Sequence, residues 1–394
     1  MDERSRASGR PAVTLFVHDL AANPIVRAAP LAAALSLDFR VELVGLLLSG
    51  PAVYAPYRGR FDVRALPCAP HLASVLSAAP RLARMATGDV LYACKPLLTT
   101  LLPAVLAARG TRRPLLLDVE DDERAASTTD APARGPLGRL RRAVDPHALQ
   151  ARIAHPLTRR AAAVTVASER LRATYGGTLL RHGPDARAFD PARSDLADRA
   201  ALRARFGLPA DRKLAVFAGR PRPHKGWEVL LDALQRPEAA AWDLVAAGPE
   251  TPAHAAAARA LGGRFHSLGT RPNEEMPALL AACDAAPAPQ LDEPYARAQL
   301  PAKVLEAMAM ALPVAATAVG DLPAILGDGA RGWIVAPGDA AALARALGEI
   351  AARPEEAARR GAAAREWVVA EASVEAIRAR LVPVVQDLLA RRAA

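Results

Sequence analysis

Short apolar runs alternate along the chain with longer alanine-rich stretches whose apolar positions recur at helical spacing, the signature of strands and helices in turn. In the first half, Val13–Val17, Val41–Leu47, Phe61–Leu66, Val90–Ala93, Leu115–Val119, Val164–Ala167 and Thr178–Leu180 read as strands. Pro30–Leu37, Leu72–Ala86 and Leu97–Arg109 read as helices between them. A connector at 183–212, holding HGPDARAFDPARSD and a short charged helix, interrupts the alternation. It then restarts with strands at Leu214–Ala218, Asp243–Ala247, Arg264–Leu268, Ala285–Pro287, Val314–Ala316 and Trp333–Val335. Helices fill the gaps at Trp227–Gln235, Met276–Ala282, Ala302–Met310 and Ala340–Ala352. Such alternation implies an α/β fold with parallel sheets, and 394 residues imply two domains, 11–190 and 200–370. A last helix over 373–391 carries an apolar stripe of Val374, Ile377, Leu381, Val384, Val385 and Leu388. That stripe must dock, and the first domain is the expected partner; Pro383 predicts a kink.

Composition narrows the function classes. Alanine and arginine are heavily used and lysine sparingly, which reads as the codon bias of a GC-rich bacterium. The net charge of +10 is assigned to arginines on solvated helix faces, and no nucleic-acid partner is expected. No apolar run is long enough to span a membrane, and MDERSRASGRP at the N-terminus lacks the apolar core of a secretory signal. Cys68, Cys94 and Cys283 have neither metal-ligand spacing nor an even disulfide framework. A cytoplasmic protein with reduced thiols fits. Arg134, Arg139, Arg141, Arg142, Arg152, Arg159 and Arg160 flank Leu137, Leu140 and Ile153, which leaves open a weak peripheral association with the inner membrane surface. Proline and glycine break that segment too often for a good amphipathic helix.

Two strand–helix junctions carry the chemistry. Residues 214–226 read LAVFAGRPRPHKG. There Gly219 lets backbone approach a ligand, Arg220 offers a planar fork of donors for phosphate oxygens, and Lys225 adds a compact charge. A strand ending in a glycine turn that feeds a helix also aims backbone amides at an anion. Residues 299–314 read QLPAKVLEAMAMALPV, with Pro301 suited to a first helical turn and Lys303 and Glu306 one turn apart. A carboxylate at 306 can accept hydrogen bonds from a vicinal diol, or act as a helix-dipole partner.

With these junctions in place, the second half resembles the C-terminal domain of GT-B fold, family 4 type retaining nucleotide-sugar glycosyltransferases. The resemblance rests on GRPRPHKGWEVLLDAL at 219–234, LVAAGP at 244–249 and FHSLGTRPNEEMPALLAACD at 265–284. KVLEAMAMALPVAATAVGDLPAIL at 303–326 and GARGWIVAPGDAAALARAL at 329–347 continue it in the family's order. Fainter echoes are NPIVRAAPLAAAL at 23–35 and VASERLRATYGGTLLRHGPD at 166–185. The resemblance implies two Rossmann-like domains facing across a cleft, with the C-terminal helix packing back on the N-terminal, acceptor-binding one. It implies hexosyl transfer with retention from a nucleoside diphosphate sugar, by family frequency a UDP-sugar, to a small-molecule, lipid or glycan acceptor. Neither metal nor other cofactor is implied. Arg220 and Lys225 would be catalytic, stabilising the leaving diphosphate. Glu306 would hold the ribose, Thr270 and Arg271 would flank the nucleobase, and the backbone from Ala298 to Leu300 with Gly219 and Lys303 would complete the donor site.

The chain also departs from the family pattern. Relatives often carry a glutamate eight positions before the one at 306, and here that position is Ala298; Glu293 or Lys303 could replace it. Ala311 stands where glycine is usual. After the fifth strand, where relatives place a histidine, this chain reads LLLDVEDDE. Asp118, Glu120, Asp121 and Asp122 there should repel one another and raise at least one pKa, and they are acceptor-side candidates unless they form a solvated acidic loop. His18, Asp19 and Asn23, after the first strand, are the other acceptor-side candidates, while His182 orders the turn before the linker. Two rival readings keep the fold: a sugar-nucleotide epimerase or hydrolase, and a catalytically degenerate partner protein.

Overall fold

The computed structural model describes residues 9–124 and 146–393. They form two compact units, one of residues up to Arg181 together with Val374 onward, the other His182–Ser373. Residues 182–190, assigned from sequence to the first domain, therefore sit in the second unit.

In the first unit the described strands are β1 (Ala12–Val17), β2 (Arg40–Leu47), β3 (Asp62–Pro67), β4 (Val90–Cys94), β5 (Leu115–Val119), β6 (Ala163–Val166) and β7 (Thr178–Leu179). They pair in the order β3-β2-β1-β4-β5-β6-β7, all parallel. β1, β4 and β5 are buried along their whole length, which explains why they read as unbroken apolar runs rather than alternating ones. The helix after β1 starts at Pro24, earlier than the sequence pattern placed it, because Pro24 occupies the tolerant first turn. Pro30 is then carried inside it.

That helix buries Arg27, whose guanidinium meets the Asp118 carboxylate through two hydrogen bonds of 2.9 and 2.7 Å and the Leu180 carbonyl at 2.9 Å. Thr165 donates to the same carboxylate at 2.6 Å, so β5, β6 and the helix share one polar pin inside the core. The C-terminal helix Val374–Ala393 packs on the helix Pro24–Ser36 through Ile377, Leu381, Val385 and Leu388. It runs through Pro383 as one element. Arg378 clamps Asp38 bidentately at its start, and Arg392 bonds Asp89 near its end.

The second unit contains β8 (Lys213–Ala218), β9 (Trp242–Ala247), β10 (Phe265–Ser267), β11 (Ala286–Ala288), β12 (Val314–Thr317) and β13 (Trp333–Val335). The ladders β10-β9-β8 and β11-β12-β13 are joined by a parallel bridge between Ala215 and Ala285. One sheet face packs Val216, Val245 and Val314 against the helices Met276–Ala282 and Ala302–Ala309. The other packs Phe217 and Trp242 against the helices Trp227–Gln235 and Ala340–Ala352. Ala311, after the helix Ala302–Ala309, adopts φ 52, the left-handed conformation that glycine takes without cost.

Candidate functional site

In the second unit the strand order reverses between β8 and β11, and open α/β sheets take ligands outside the carboxyl ends of their strands at such a switch point. β8 ends at Ala218 and hands over to Gly219 at φ 103. The chain then passes Arg220 and enters a 3-10 turn, Pro223–Lys225, before the helix Trp227–Gln235. Lys225 thus lies in the turn ahead of the helix. Gly226 joins the two at φ 67, and a Cβ there would collide with the Pro289 carbonyl oxygen. The Leu291 N–H donates to the His224 carbonyl at 2.9 Å, tying this turn to the segment leaving β11.

Polar side chains without hydrogen-bond partners among the described residues gather at this corner. Lys303, in the first turn of the helix Ala302–Ala309, has a buried ammonium with no hydrogen-bond partner, 3.5 Å from the centroid of the Phe217 ring. Burial, and then the charge of Lys225, push its pKa well below the usual lysine range. Burial also lowers Lys225 to about 8, helped by Arg222 and Arg220. Burial raises Glu306 to about 7. Neither Glu306 nor the exposed Arg220 has a side-chain partner among the described residues. Gln290, just beyond β11, is 1% exposed, and both atoms of its amide lack a partner. Cations that raise one another's cost, of which Arg220, Lys225 and Lys303 have no ion-pair partner among the described residues, form a corner able to hold a polyanion.

Gly219, Lys225, Lys303 and Glu306, named from sequence, thus cluster about one switch point. Leu300 is 2% exposed and offers its backbone only. Thr270 and Arg271 lie on an exposed turn after β10, two strands from β8, where the Arg271 Nε donates to the Leu268 carbonyl at 2.9 Å.

The first unit has its own switch point between β1 and β4, and a mixed polar cluster occupies the strand ends there. Lys95, following β4 at φ 83, reaches Glu123 at 2.7 Å, Asp121 at 2.9 Å and Glu120 at 3.4 Å. His147 bonds the second Glu123 oxygen at 2.7 Å, and the His18 ring lies edge-on to His147 with centroids 6.0 Å apart. His18 Nδ1 also meets the Thr99 hydroxyl at 2.7 Å. Burial lowers His18 to about 4, so its ring is neutral at pH 7. Burial raises Glu120 to about 7 against the pull of Lys95. Glu123 moves the other way: burial alone would raise it, but Lys95 and His147 together hold it at about 2.

The expected acidic group is therefore not a solvated loop, and one of its carboxyls, Glu120, is raised as expected, by burial first and by Asp121 and Asp118 further. Lys95 compensates three of its neighbours, and Asp118 points into the core, with 0% exposure and its oxygens taken by Arg27 and Thr165. Asp19 is likewise 3% exposed, and its Oδ1 accepts from the Ala21 and Leu48 amides. It orders the loop after β1. Asn23 is exposed at the start of the helix Pro24–Ser36 and makes no side-chain cap. Of the basic segment, Arg152, Arg159 and Arg160 are exposed, and Arg134, Arg139, Arg141 and Arg142 lie outside the described residues.

Sequence reasoning passed over Lys95, Glu123, His147 and Gln290. A usable signal existed for the first. The lysines of this arginine-rich chain are Lys95, Lys213, Lys225 and Lys303, and all but Lys213 sit beyond the carboxyl ends of strands at a switch point. Where composition favours arginine so strongly, a retained lysine marks a place for a compact charge.

Residues 212–353 match the family of glycosyl transferases group 1. The chain is 34% identical to the 2-deoxystreptamine glucosyltransferase of Streptomyces kanamyceticus over 57% of its own length and 62% of that protein. It is 35% identical to a D-inositol 3-phosphate glycosyltransferase of Streptomyces scabiei over 42% of its length and 40% of that protein. It thus spans less than two thirds of these relatives. Its structure superimposes on that of Anabaena HepE, solved with UDP and glucose, at a TM-score of 0.73, with 19% identity and coverage of 95% and 99% of the two chains. The fold is the α/β GT-B fold of glycosyltransferases. Among the described residues no helix is long and apolar enough to cross a membrane.

Proposed function

We propose that the protein is a glycosyltransferase that moves a hexosyl group from a nucleoside diphosphate sugar, a UDP-sugar, to a polyol acceptor with retention of configuration. The observation that carries this reading is the pair of buried lysines at the switch point of the second unit. Lys303 has no hydrogen-bond partner among the described residues, and Lys225 is driven down to about 8 by burial and cationic neighbours. A diphosphate supplies the missing counter-charge, and the leaving phosphate gains a further charge as the glycosyl bond breaks. Arg220, Lys225 and Lys303 then stabilise that charge, the function a divalent metal performs elsewhere. The reaction is accordingly read as metal-independent. Glu306, ionised, accepts the ribose diol, and the turn at Thr270–Arg271 lies toward the nucleobase.

The acceptor is assigned to the first unit's cluster of His18, Lys95, Glu120, Asp121, Glu123 and His147. Its groups donate and accept over a short span, which suits hydroxyl-rich ligands, and its surplus of carboxylates favours amine-bearing polyols over phosphorylated ones. The aminocyclitol named for the Streptomyces kanamyceticus relative has that chemistry. A cytoplasmic location accompanies this reading, since nucleotide sugars are the donors.

Calorimetric titration with UDP and UDP-glucose, then incubation with donor and 2-deoxystreptamine, tests the proposal. Binding of the nucleotide and an α-linked product formed in the presence of EDTA are expected. Absence of nucleotide binding would overturn it, and fast donor hydrolysis without acceptor would replace transfer by hydrolysis.

A further inference from the structure

Gln290 follows β11, the strand that forms the switch point with β8. Its backbone is fixed on both sides: the N–H donates to the Ala288 carbonyl at 3.0 Å, and the carbonyl accepts from the Thr317 hydroxyl at 2.7 Å. The next residue, Leu291, donates to His224 in the turn that carries Lys225. The side chain has only 1% exposure, yet its amide nitrogen and oxygen both lack a hydrogen-bond partner among the described residues. A buried amide left unsatisfied at both ends is costly, and a ligand that hydrogen-bonds it would repay that cost.

The chemistry of the amide selects the ligand. A phosphate offers acceptors only and would leave Oε1 unsatisfied, whereas a sugar hydroxyl both donates and accepts. Position agrees. The sheet order sets the turn at Thr270–Arg271, the lysine corner and Gln290 along one edge, on β10, β8 and β11 in turn. A ligand whose diphosphate lies at β8 and whose base lies toward β10 extends its remaining end toward β11.

We propose that the Gln290 carboxamide is a specificity-determining group that hydrogen-bonds hydroxyls of the donor's glycosyl moiety. This rests on the glycosyl-transfer reading above, and it supplies a polar contact to the sugar beside the lysine corner.

The test compares wild type with Gln290→Met, close in shape but unable to make either hydrogen bond, and with Gln290→Glu. Each is titrated with UDP alone and with whichever of UDP-glucose, UDP-N-acetylglucosamine and GDP-mannose wild type binds best; for GDP-mannose the reference is GDP. The nucleoside diphosphate should bind Gln290→Met as it binds wild type, while the sugar nucleotide binds roughly tenfold or more weakly. The melting temperature of unliganded Gln290→Met should equal or exceed that of wild type, because an unsatisfied amide has been removed. Gln290→Glu, which still accepts from hydroxyls, should retain more sugar-nucleotide affinity than Gln290→Met. Equal loss of nucleoside diphosphate and sugar nucleotide, or loss of neither, overturns the assignment while leaving glycosyl transfer standing. Wild type that binds none of these nucleotides overturns both.

Discussion

The ammonium of Lys303 sits 3.5 Å from the centroid of the Phe217 ring and has no hydrogen-bond partner. An aromatic face offsets part of a buried charge but does not replace an anion. Lys303→Met should therefore move two properties in opposite directions. Unliganded stability should rise by about 1 kcal/mol as the unsatisfied group is removed and the thioether packs on Phe217. Affinity for UDP should fall roughly tenfold. Urea denaturation and calorimetry on the same samples measure both, and a variant that loses stability would mean that the ammonium has a structural partner.

Arg220→Ala and Lys225→Ala should each lower turnover roughly 10²-fold, the usual effect of losing one preorganised donor to developing charge. Melting temperatures should stay near wild type, because neither side chain has a protein partner among the described residues. Unchanged activity in both variants would contradict the diphosphate assignment.

The same corner makes nucleotide binding pH-dependent. Glu306, raised to about 7 by burial, is protonated below that pH and, in the proposed donor site, would accept ribose hydroxyls poorly. Lys225, lowered to about 8 by burial first and by Arg222 and Arg220 next, loses its charge above that pH in the unliganded protein. UDP affinity should fall on the alkaline side by up to tenfold per unit for each lysine that loses its charge, Lys303 as well as Lys225, with proton uptake on binding. Titrations in buffers of different ionisation enthalpy read that uptake directly. In Glu306→Gln the acid limb should vanish and the alkaline limb remain.

Arg27 and Asp118 test the first unit's core. Both are essentially inaccessible, at 1% and 0% side-chain exposure. Arg27→Met leaves a carboxylate buried without its cation and should cost about 3–5 kcal/mol. Restoring neutrality in Arg27→Met/Asp118→Asn should recover a substantial part of that loss. Denaturant midpoints of the single and double variants decide it.

Ala311 holds φ 52, so Ala311→Gly should stabilise the protein by about 0.5–1 kcal/mol: release of left-handed strain outweighs the added freedom of the unfolded chain. A lower melting temperature would show that the methyl group contributes packing that exceeds the strain.

The strands were legible because buried parallel strands read as apolar runs, and the motif-bearing turns were legible because Gly219, Lys225, Lys303 and Glu306 flank such runs. Helix starts were less so. Pro24 looks like a breaker in sequence, yet in the first turn it costs nothing. The acidic run from Asp118 was legible in part, since a raised carboxyl was expected and Glu120 is one, but its partners were not. A residue on a buried strand is satisfied by partners far away in sequence, and neither Arg27 nor Lys95 lies near it along the chain. Gln290 was invisible because its significance is the lack of a partner, which only a packed environment reveals.

The Gly183 N–H donates to the Ala372 carbonyl at 2.7 Å, so the two ends of the second unit meet where the chain crosses into it and out of it. The first unit is thus written in two pieces with a continuous unit inserted between them. On a ribosome the inserted unit can complete its contacts as soon as it emerges, whereas the first must wait for the chain's last helix to cover Leu31 and Leu35 with Ile377 and Leu381. Losing that helix would damage the half of the molecule made first, and leave intact the half made second.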